Sequence, residues 1–225
     1  MPEIIKLFIA SFDISHTNHF SKQKVFEKHI SVYEKHIKTI FDFVFSGIFI
    51  LFLLPVFLVI SVAIKITSKG SVIYKQERIG KYGKPFIIYK FRSMHTSAEK
   101  NGPELSPIND ARVTRVGRFL RSSKLDEIPQ FFNVLKGDMS LVGPRPERKF
   151  YIDQILEQKH DFKRTFEVKP GITSLGQIKY GYANSVNQTL DRYKYDLYYL
   201  NNRGTYLDIK ILFQTAMFLV MFNKK

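Results

Sequence analysis

The sequence contains no cysteine and no tryptophan. Without thiols, disulfides and thiolate chemistry are excluded, the composition fits a reducing compartment, and any metal ion must be held by oxygen or imidazole. Acidic residues are scarce: 20 Asp and Glu stand against 35 Lys and Arg, for a formal charge of +15 and a pI near 9.8. Such an excess favours anionic partners, whether nucleic acid, an acidic membrane surface or phosphorylated small molecules, and charge alone does not choose among them. Internal repeats and low-complexity runs are also lacking. The 225 residues leave room for one domain, or a domain plus an anchor, with a packed core.

Charge is missing altogether from residue 43 to residue 64, "FVFSGIFILFLLPVFLVISVAI". Roughly twenty uncharged residues are what a helix needs to cross a bilayer core. The run begins about forty residues into the chain and has no small-residue cleavage site after it, so a retained anchor is expected rather than a cleaved signal peptide. Pro55 sits near its centre, where it removes one intrahelical hydrogen bond and predicts a kink. Lys35 and Lys38 precede the run and Lys65 and Lys69 follow it, so the positive-inside tendency draws both ends to the cytoplasm. A re-entrant helix satisfies both ends; an ordinary single span with a tolerated proline is the alternative.

After the anchor, "SVIYKQERIGKYGKPFIIYKFRSM" holds two β-prone runs around Gly80-Lys81-Tyr82-Gly83 and predicts a hairpin. On its second strand Ile88, Lys90 and Arg92 share a face, either as phosphate contacts or as the protective charges of an edge strand. Residues 99–110 read as a loop. "ARVTRVGRFLRSS" then places Arg112, Arg115, Arg118 and Arg121 three apart, with Val113, Val116 and Leu120 as an apolar stripe. A cationic helix of this kind suits anionic headgroups or the wall of a phosphate site. At the other end, "YLDIKILFQTAMFLVMFNKK" predicts a core or interfacial helix, with Lys224 and Lys225 suited to headgroups. Residues 1–38 carry no readable motif.

Against this basic background, "SKLDEIPQFFNVLKGD" sets Asp126 and Glu127 side by side, close to the rigid Gly-Pro-Arg-Pro turn that carries Arg145. One reading is a capping box in which Ser123 and Asp126 close a helix start. The other is catalytic. A helix "PQFFNVLK" that opens at Pro129 and stops at Gly137 leaves both acids at a helix start, where partial positive charge lowers carboxylate pKa values and welcomes phosphate. There one carboxylate can attack phosphorus while its neighbour holds a divalent cation. A guanidinium fixed between two prolines meets phosphate with little entropy loss.

The segments "YKQERIGKYGKPFIIYKFRSM", "ARVTRVGRFLRSSKLDEIPQFFNVLKGDMSLVGPRPE", "VKPGIT" and "LDIKILFQT", in that order, resemble the bacterial sugar transferases, the monotopic polyprenyl-phosphate phosphoglycosyl transferases, from about residue 38 onward. The resemblance implies transfer of a sugar 1-phosphate from a UDP-sugar to polyprenyl (undecaprenyl) phosphate, with UMP released, at the cytoplasmic face of a bacterial inner membrane. It implies Asp126 as the nucleophile that becomes phosphoglycosylated, Glu127 as the carboxylate associated with Mg²⁺, and Arg145 as a phosphate ligand. Lys90, Arg92 and Arg112 follow as substrate contacts, and Asp138 as a structural or metal-shell acid. Nucleic acid is not an implied partner. Two positions depart from the family pattern: Leu54 precedes Pro55 where relatives usually have serine, and "TSLGQ" puts Ser174 and Gly176 where relatives often have glycine and tryptophan.

The expected fold is α+β, helix-dominated with a β-hairpin, anchored by one N-terminal re-entrant (kinked) helix plus interfacial helices. Its expected parts are an extension over 1–38, the re-entrant membrane helix at 39–66 with its break at Pro55, and a cytoplasm-facing catalytic domain over 67–225. Direct transfer with Asp126 as general base, and a non-catalytic basic membrane-anchored binding module, are the competing expectations.

Overall fold

The computed structural model describes residues 33–96, 98, 110–181 and 183–222. The extension up to residue 32, the loop over 99–109, and Lys224 and Lys225 lie outside the described residues. What is described is helix-dominated α+β, with two small two-stranded sheets.

Helix α1 (Thr39–Thr67) contains the uncharged run and stays helical through Pro55, so the expected break does not interrupt it. Its buried residues are Asp42, Ser46, Ile50, Ile60 and Ile64, and Leu53 and Phe57 pack beside them. Steps of three and four residues put these side chains on one stripe. The opposite face exposes Phe43, Ile48, Leu51, Phe52, Leu58, Val59 and Val62. By length and composition α1 is the one helix among the described residues that could cross a membrane.

The hairpin forms where the sequence placed it: β1 (Ile73–Ile79) pairs antiparallel with β2 (Pro85–Phe91), with Ile79 opposite Pro85. Helix α2 (Arg115–Ser122) is shorter than expected and excludes Arg112 and Val113. Thr114 caps it by accepting from Gly117 N at 2.9 Å, Val113 bridges to Met94, and Arg112 N donates to Asp110 Oδ1 at 3.0 Å. Local bonds to side chains and an isolated β-bridge thus hold 110–114 out of the helix. A 3₁₀ turn (Leu125–Glu127) leads into α3 (Gln130–Leu135), which Pro129 opens and Gly137, with φ +82°, follows.

A parallel pair, β3 (Ser140–Val142) and β4 (Gly171–Thr173), has no counterpart in the sequence reading, because three-residue strands carry no periodicity to see. Between them come α4 (Lys149–Gln158) and a 3₁₀ stretch (His160–Glu167), and after them α5 (Leu175–Lys179), α6 (Val186–Asn202) and α7 (Thr205–Phe222). Leu141, Val142, Leu175, Tyr199, Leu200, Leu207 and Ile211 form one core cluster; Ile60, Ile64, Phe91, Leu120 and Ile128 form another beneath α1. Helix α7 has a core face and an exposed apolar face of Tyr206, Ile209, Phe213 and Val220.

Asp208 of α7 ties the start of the anchor to the domain. Tyr199 Oη donates to its Oδ1 at 2.9 Å, Tyr33 Oη donates to Oδ2 at 2.5 Å, and the Lys38 ammonium pairs with Oδ2. Tyr33 and Lys38 span one π-helical turn, whose i→i+5 repeat brings both side chains round to one carboxylate. The Lys38 side chain is largely enclosed. Replacing Asp208 with alanine removes the carboxylate that the ammonium and two phenols share and should cost about 3 kcal/mol. In detergent micelles that is a fall of roughly 10 °C in unfolding midpoint, while Tyr199→Phe should cost about 1 kcal/mol. An unchanged midpoint for Asp208→Ala would show that the cluster contributes nothing.

Candidate active site

The two acids stand on the 3₁₀ turn between α2 and α3, and two further elements bring cations to them. Lys90 on β2 donates from Nζ to Glu127 Oε1 at 2.8 Å. Arg145 donates from Nη2 to the same oxygen at 2.8 Å. Asp126 is buried to 8 % exposure, yet among the described residues it accepts no hydrogen bond and forms no ion pair. One acid is therefore clamped and its neighbour is left available.

Several backbone bonds hold this arrangement. Asn133 of α3, fully buried, accepts from Tyr89 N at 3.0 Å and donates to Ile87 O at 2.6 Å, bolting the turn to the strand that carries Lys90. The Gly143-Pro144-Arg145-Pro146 turn is pinned on both sides: Gly143 N donates to Thr173 O at 3.1 Å, Gly171 N to Pro144 O at 3.0 Å and Ile79 N to Glu147 O at 3.1 Å. An added Cβ on Gly171 would lie 2.1 Å from Gly143 N, so the segments pass too closely for any side chain there. Ser123 does not form the expected capping box. It ends α2, and its hydroxyl donates back to Phe119 O at 2.8 Å.

The field around the acids differs from that of a simple helix start. Burial pushes the Asp126 carboxyl above its usual pKa, and the Glu127 charge adds to this, against Lys90, Lys124 and Arg121. For Glu127 burial pushes upward too, but Arg145 and Lys90 hold it well below the usual carboxylate range. The expectation that both acids would be lowered is therefore corrected: desolvation outweighs the weak dipole of a six-residue helix at Asp126. Burial lowers the Lys90 ammonium, and Glu127 opposes that shift.

Of the expected cations, Lys90 and Arg145 meet at Glu127. The bonds of Arg92 and Arg112 run elsewhere: Arg92 Nη1 donates to Lys69 O at 3.1 Å, and Arg112 pairs with Asp110 at 2.6 Å. Asp138 lies past the far end of α3, 3.5 Å from Asn133 Nδ2 and 3.7 Å from Lys136 Nζ. Pro55 lies within α1. Three residues of the site escaped sequence reasoning. Asn133 could have been found as the lone amide in the apolar run "FFNVL"; Lys124 and Glu147 gave no signal among so many charges.

Behind Arg145 is a second buried ionic group. Glu147 accepts from Arg192 Nη2 at 2.5 Å and lies 3.4 Å from Arg78 Nη1, which also donates to Pro146 O at 3.2 Å. Asp196, one turn from Arg192, accepts from Gly176 N at 3.2 Å, and Ser174 caps α5 by accepting from Gln177 N at 2.9 Å. A Cβ at Gly176 would fall 2.7 Å from Arg192 Cγ and 2.9 Å from Asp196 Oδ1. The two departures in "TSLGQ" thus fit together, since the space a tryptophan would claim is filled by the Arg192–Asp196 face of α6.

A family model described as "Bacterial sugar transferase" matches residues 33–222. The chain is 37% identical over 218 residues to a UDP-glucose:undecaprenyl-phosphate glucose-1-phosphate transferase of Klebsiella pneumoniae, covering 96% of this chain and 47% of that protein. It is 44% identical over 161 residues to a UDP-N-acetylgalactosamine-undecaprenyl-phosphate N-acetylgalactosaminephosphotransferase of Aeromonas hydrophila, covering 72% of this chain and 38% of that one. An uncharacterized sugar transferase of Bacillus subtilis is 40% identical over 181 residues, covering 80% and 85%. The chain spans less than half the length of the first two relatives.

Asp196 yields a pH-dependent prediction. Burial pushes its carboxyl from the ordinary 3.8 to about 6, against Arg192. Below about pH 4 both folded and unfolded chains hold this proton, and Asp196 costs nothing. As pH rises toward 6 the unfolded chain releases the proton first, so folding loses on the order of 3 kcal/mol through that window and no more above it. Asp196→Asn should remove this slope. Denaturant unfolding of both forms at pH 4 and pH 7.5 checks it, and equal slopes would show that Asp196 is not the titrating group.

Proposed function

Because the chain belongs to the bacterial sugar transferase family, we propose that it transfers a sugar 1-phosphate from a UDP-sugar to polyprenyl (undecaprenyl) phosphate and so initiates glycan or polysaccharide synthesis. The observation that carries this reading is the pairing of an available buried aspartate with a glutamate clamped by two cations. Around the two carboxylates stand Lys90, Lys124, Arg121 and Arg145, four cations against two acids. The surplus of two positive charges suits a diphosphate.

In the proposed reaction an oxygen of Asp126 attacks the phosphorus that bears the sugar. The bond to UMP breaks, UMP leaves with the electron pair, and the sugar phosphate remains on Asp126 as an acyl phosphate ester. A phosphate oxygen of the lipid then attacks the same phosphorus, freeing the Asp126 carboxylate and giving the polyprenyl-diphosphate sugar. Lys90 and Arg145 would neutralise charge on the transferring group while keeping Glu127 ionised. The raised pKa of Asp126 favours a second reading, in which it is the general base for direct attack by the lipid phosphate.

Among the described residues no cluster of three or more His, Asp or Glu could cage a metal. Two adjacent carboxylates do fit Mg²⁺, which keeps several waters and takes one or two carboxylates plus substrate phosphate. Among the described residues both cations bonded to Glu127 meet Oε1, so Oε2 could be offered, with Asp126 beside it. The ion would supply charge neutralisation at the diphosphate.

The membrane reading follows from α1. A helix of 29 residues is about 43 Å long, and contacts with one domain run along its length. Asp42 accepts from Leu141 N at 3.2 Å near one end, Phe49 stacks on Phe131 at 5.2 Å in the middle, and Ile64 packs with Phe91 and Leu120 near the other. A helix that crossed the bilayer could not keep both ends on a domain confined to one side. We therefore take α1 to enter and leave by the cytoplasmic face, its exposed face in lipid and Pro55 at the point where the helix most easily bends.

Two experiments test these readings. In a single-turnover assay with Mg²⁺ and UDP-glucose or UDP-N-acetylgalactosamine but no lipid phosphate, about one UMP per enzyme should appear, with a phosphosugar adduct on Asp126 that Asp126→Asn abolishes. Turnover only after lipid is added, without an adduct, would assign Asp126 as base. For topology, the cysteine-free chain permits clean labelling of His36→Cys and Lys69→Cys. Both should react with an impermeant maleimide only once the inner membrane is opened; reaction of one alone in intact spheroplasts would establish a crossing helix.

A further inference from the structure

The turn that carries Arg145 cannot lock itself. Pro144 and Pro146 have no N–H, so the residues on either side of Arg145 offer the backbone carbonyls and no donors. Donors must come from other segments. Gly171 N bonds Pro144 O, Ile79 N bonds Glu147 O, and the carbonyl between them, Pro146 O, accepts from Arg78 Nη1 at 3.2 Å. Pro146 is buried and directly follows Arg145, so this bond holds the backbone next to the catalytic-site guanidinium.

Arg78 is itself held in a ladder along β1. Its Nη2 donates to Gln76 Oε1 at 2.7 Å, Gln76 Nε2 donates to Tyr74 Oη at 2.9 Å, and Nη1 also lies 3.4 Å from Glu147 Oε2. Strand side chains alternate, so Tyr74, Gln76 and Arg78 share one face, while Lys75 and Glu77 on the other are exposed. The pairing register identifies the shared face. Tyr74 stands opposite Lys90, Gln76 opposite the buried Ile88 and Arg78 opposite Phe86, so the ladder lies on the side of the hairpin that carries Lys90. One end is thus beside Lys90 and the other at the Arg145 turn, and these are the two cations that meet at Glu127 Oε1. A guanidinium suits the far end because its planar fork serves Pro146 O, Glu147 and Gln76 together.

We propose that Gln76 and Arg78 are positioning residues that set Arg145 against Lys90, so that the two cations meet the donor diphosphate at the separation transfer requires. This rests on the transferase reading above. It gives β1, which carries none of the acids or cations of the clamp, a part in the reaction exerted through Arg145.

The test is a double-mutant cycle on the full chain in detergent or nanodiscs with Mg²⁺, reading UMP release from UDP-glucose or UDP-N-acetylgalactosamine with lipid phosphate present. Gln76→Leu removes the acceptor that orients Arg78 and leaves every charge in place. Arg78→Lys keeps the charge but loses the fork. Each should lower kcat about tenfold and change the KM for the UDP-sugar about twofold at most, because a loosened Arg145 weakens the transition state more than the ground state. In an Arg145→Ala background the same substitutions should lower kcat less than about twofold, since the group they position is gone. Equal losses in both backgrounds, or parent-like kcat in both single variants, would overturn the proposal. Should Arg78→Lys fail to fold, Gln76→Leu decides alone. A second readout needs no turnover: the Nε–H resonance of Arg145, identified by its loss in Arg145→Ala, should shift and broaden in Gln76→Leu, and an unmoved resonance would overturn the proposal. If the parent releases no UMP from either UDP-sugar, the transfer reading fails while this resonance still decides whether Gln76 positions Arg145.

Discussion

A single carboxylate oxygen, Glu127 Oε1, accepts from both Lys90 and Arg145 at 2.8 Å, and the arrangement of the site depends on it. The three residues come from the 3₁₀ turn, the hairpin and the Gly-Pro-Arg-Pro turn, which have no local reason to converge. An acid taken out of water is costly unless it is paired, and two cations so close would repel without it. With that oxygen in place, Glu127 stays ionised and Lys90 and Arg145 stay together. Among the described residues, Asp126 next to it has no bonding partner. The site therefore commits one acid to structure, while its neighbour makes no such bond among the described residues.

Support for this clamp comes from further buried polar groups. Asn133 fixes α3 to β2 through main-chain bonds, so the turn cannot slide along the strand. Glu147 draws Arg78 and Arg192 together behind the Arg145 turn, linking the hairpin to α6. At the far side Asp208 gathers Tyr33, Lys38 and Tyr199 and fastens the start of the anchor. Each is a buried acid or amide with its partners supplied by distant segments, and such groups specify one arrangement because any other leaves them unsatisfied. The exposed apolar face of α1 lies opposite its packed stripe, so that apolar surface and the position of the site are set by the same helix.

Much of the architecture was legible in the chain. The uncharged run, the hairpin and the helix between Pro129 and Gly137 all appear where composition and turn residues indicated, since these signals act within a few residues of one another. The extent of α2 was misjudged because arginines at three-residue spacing imitate a helix even where Thr114, Asp110 and Met94 take up the backbone. The strands β3 and β4 were missed because each is three residues long and pairs with a segment about thirty residues away, beyond any local pattern.

Sequence by itself determined the long apolar run, the basic balance, the adjacent acids and the rigid arginine turn, because each is a property of neighbouring residues. Only the tertiary structure decided which charges meet. Four cations were expected near the acids; Lys90 and Arg145 converge on Glu127, while Arg92 and Arg112 bond the Lys69 carbonyl and Asp110. It also decided that the two acids differ, Asp126 raised and Glu127 lowered, because burial and the distance to Arg145 are consequences of packing. Electrostatic free energy depends on separation in space and on exclusion of water, and neither quantity exists along an unfolded chain.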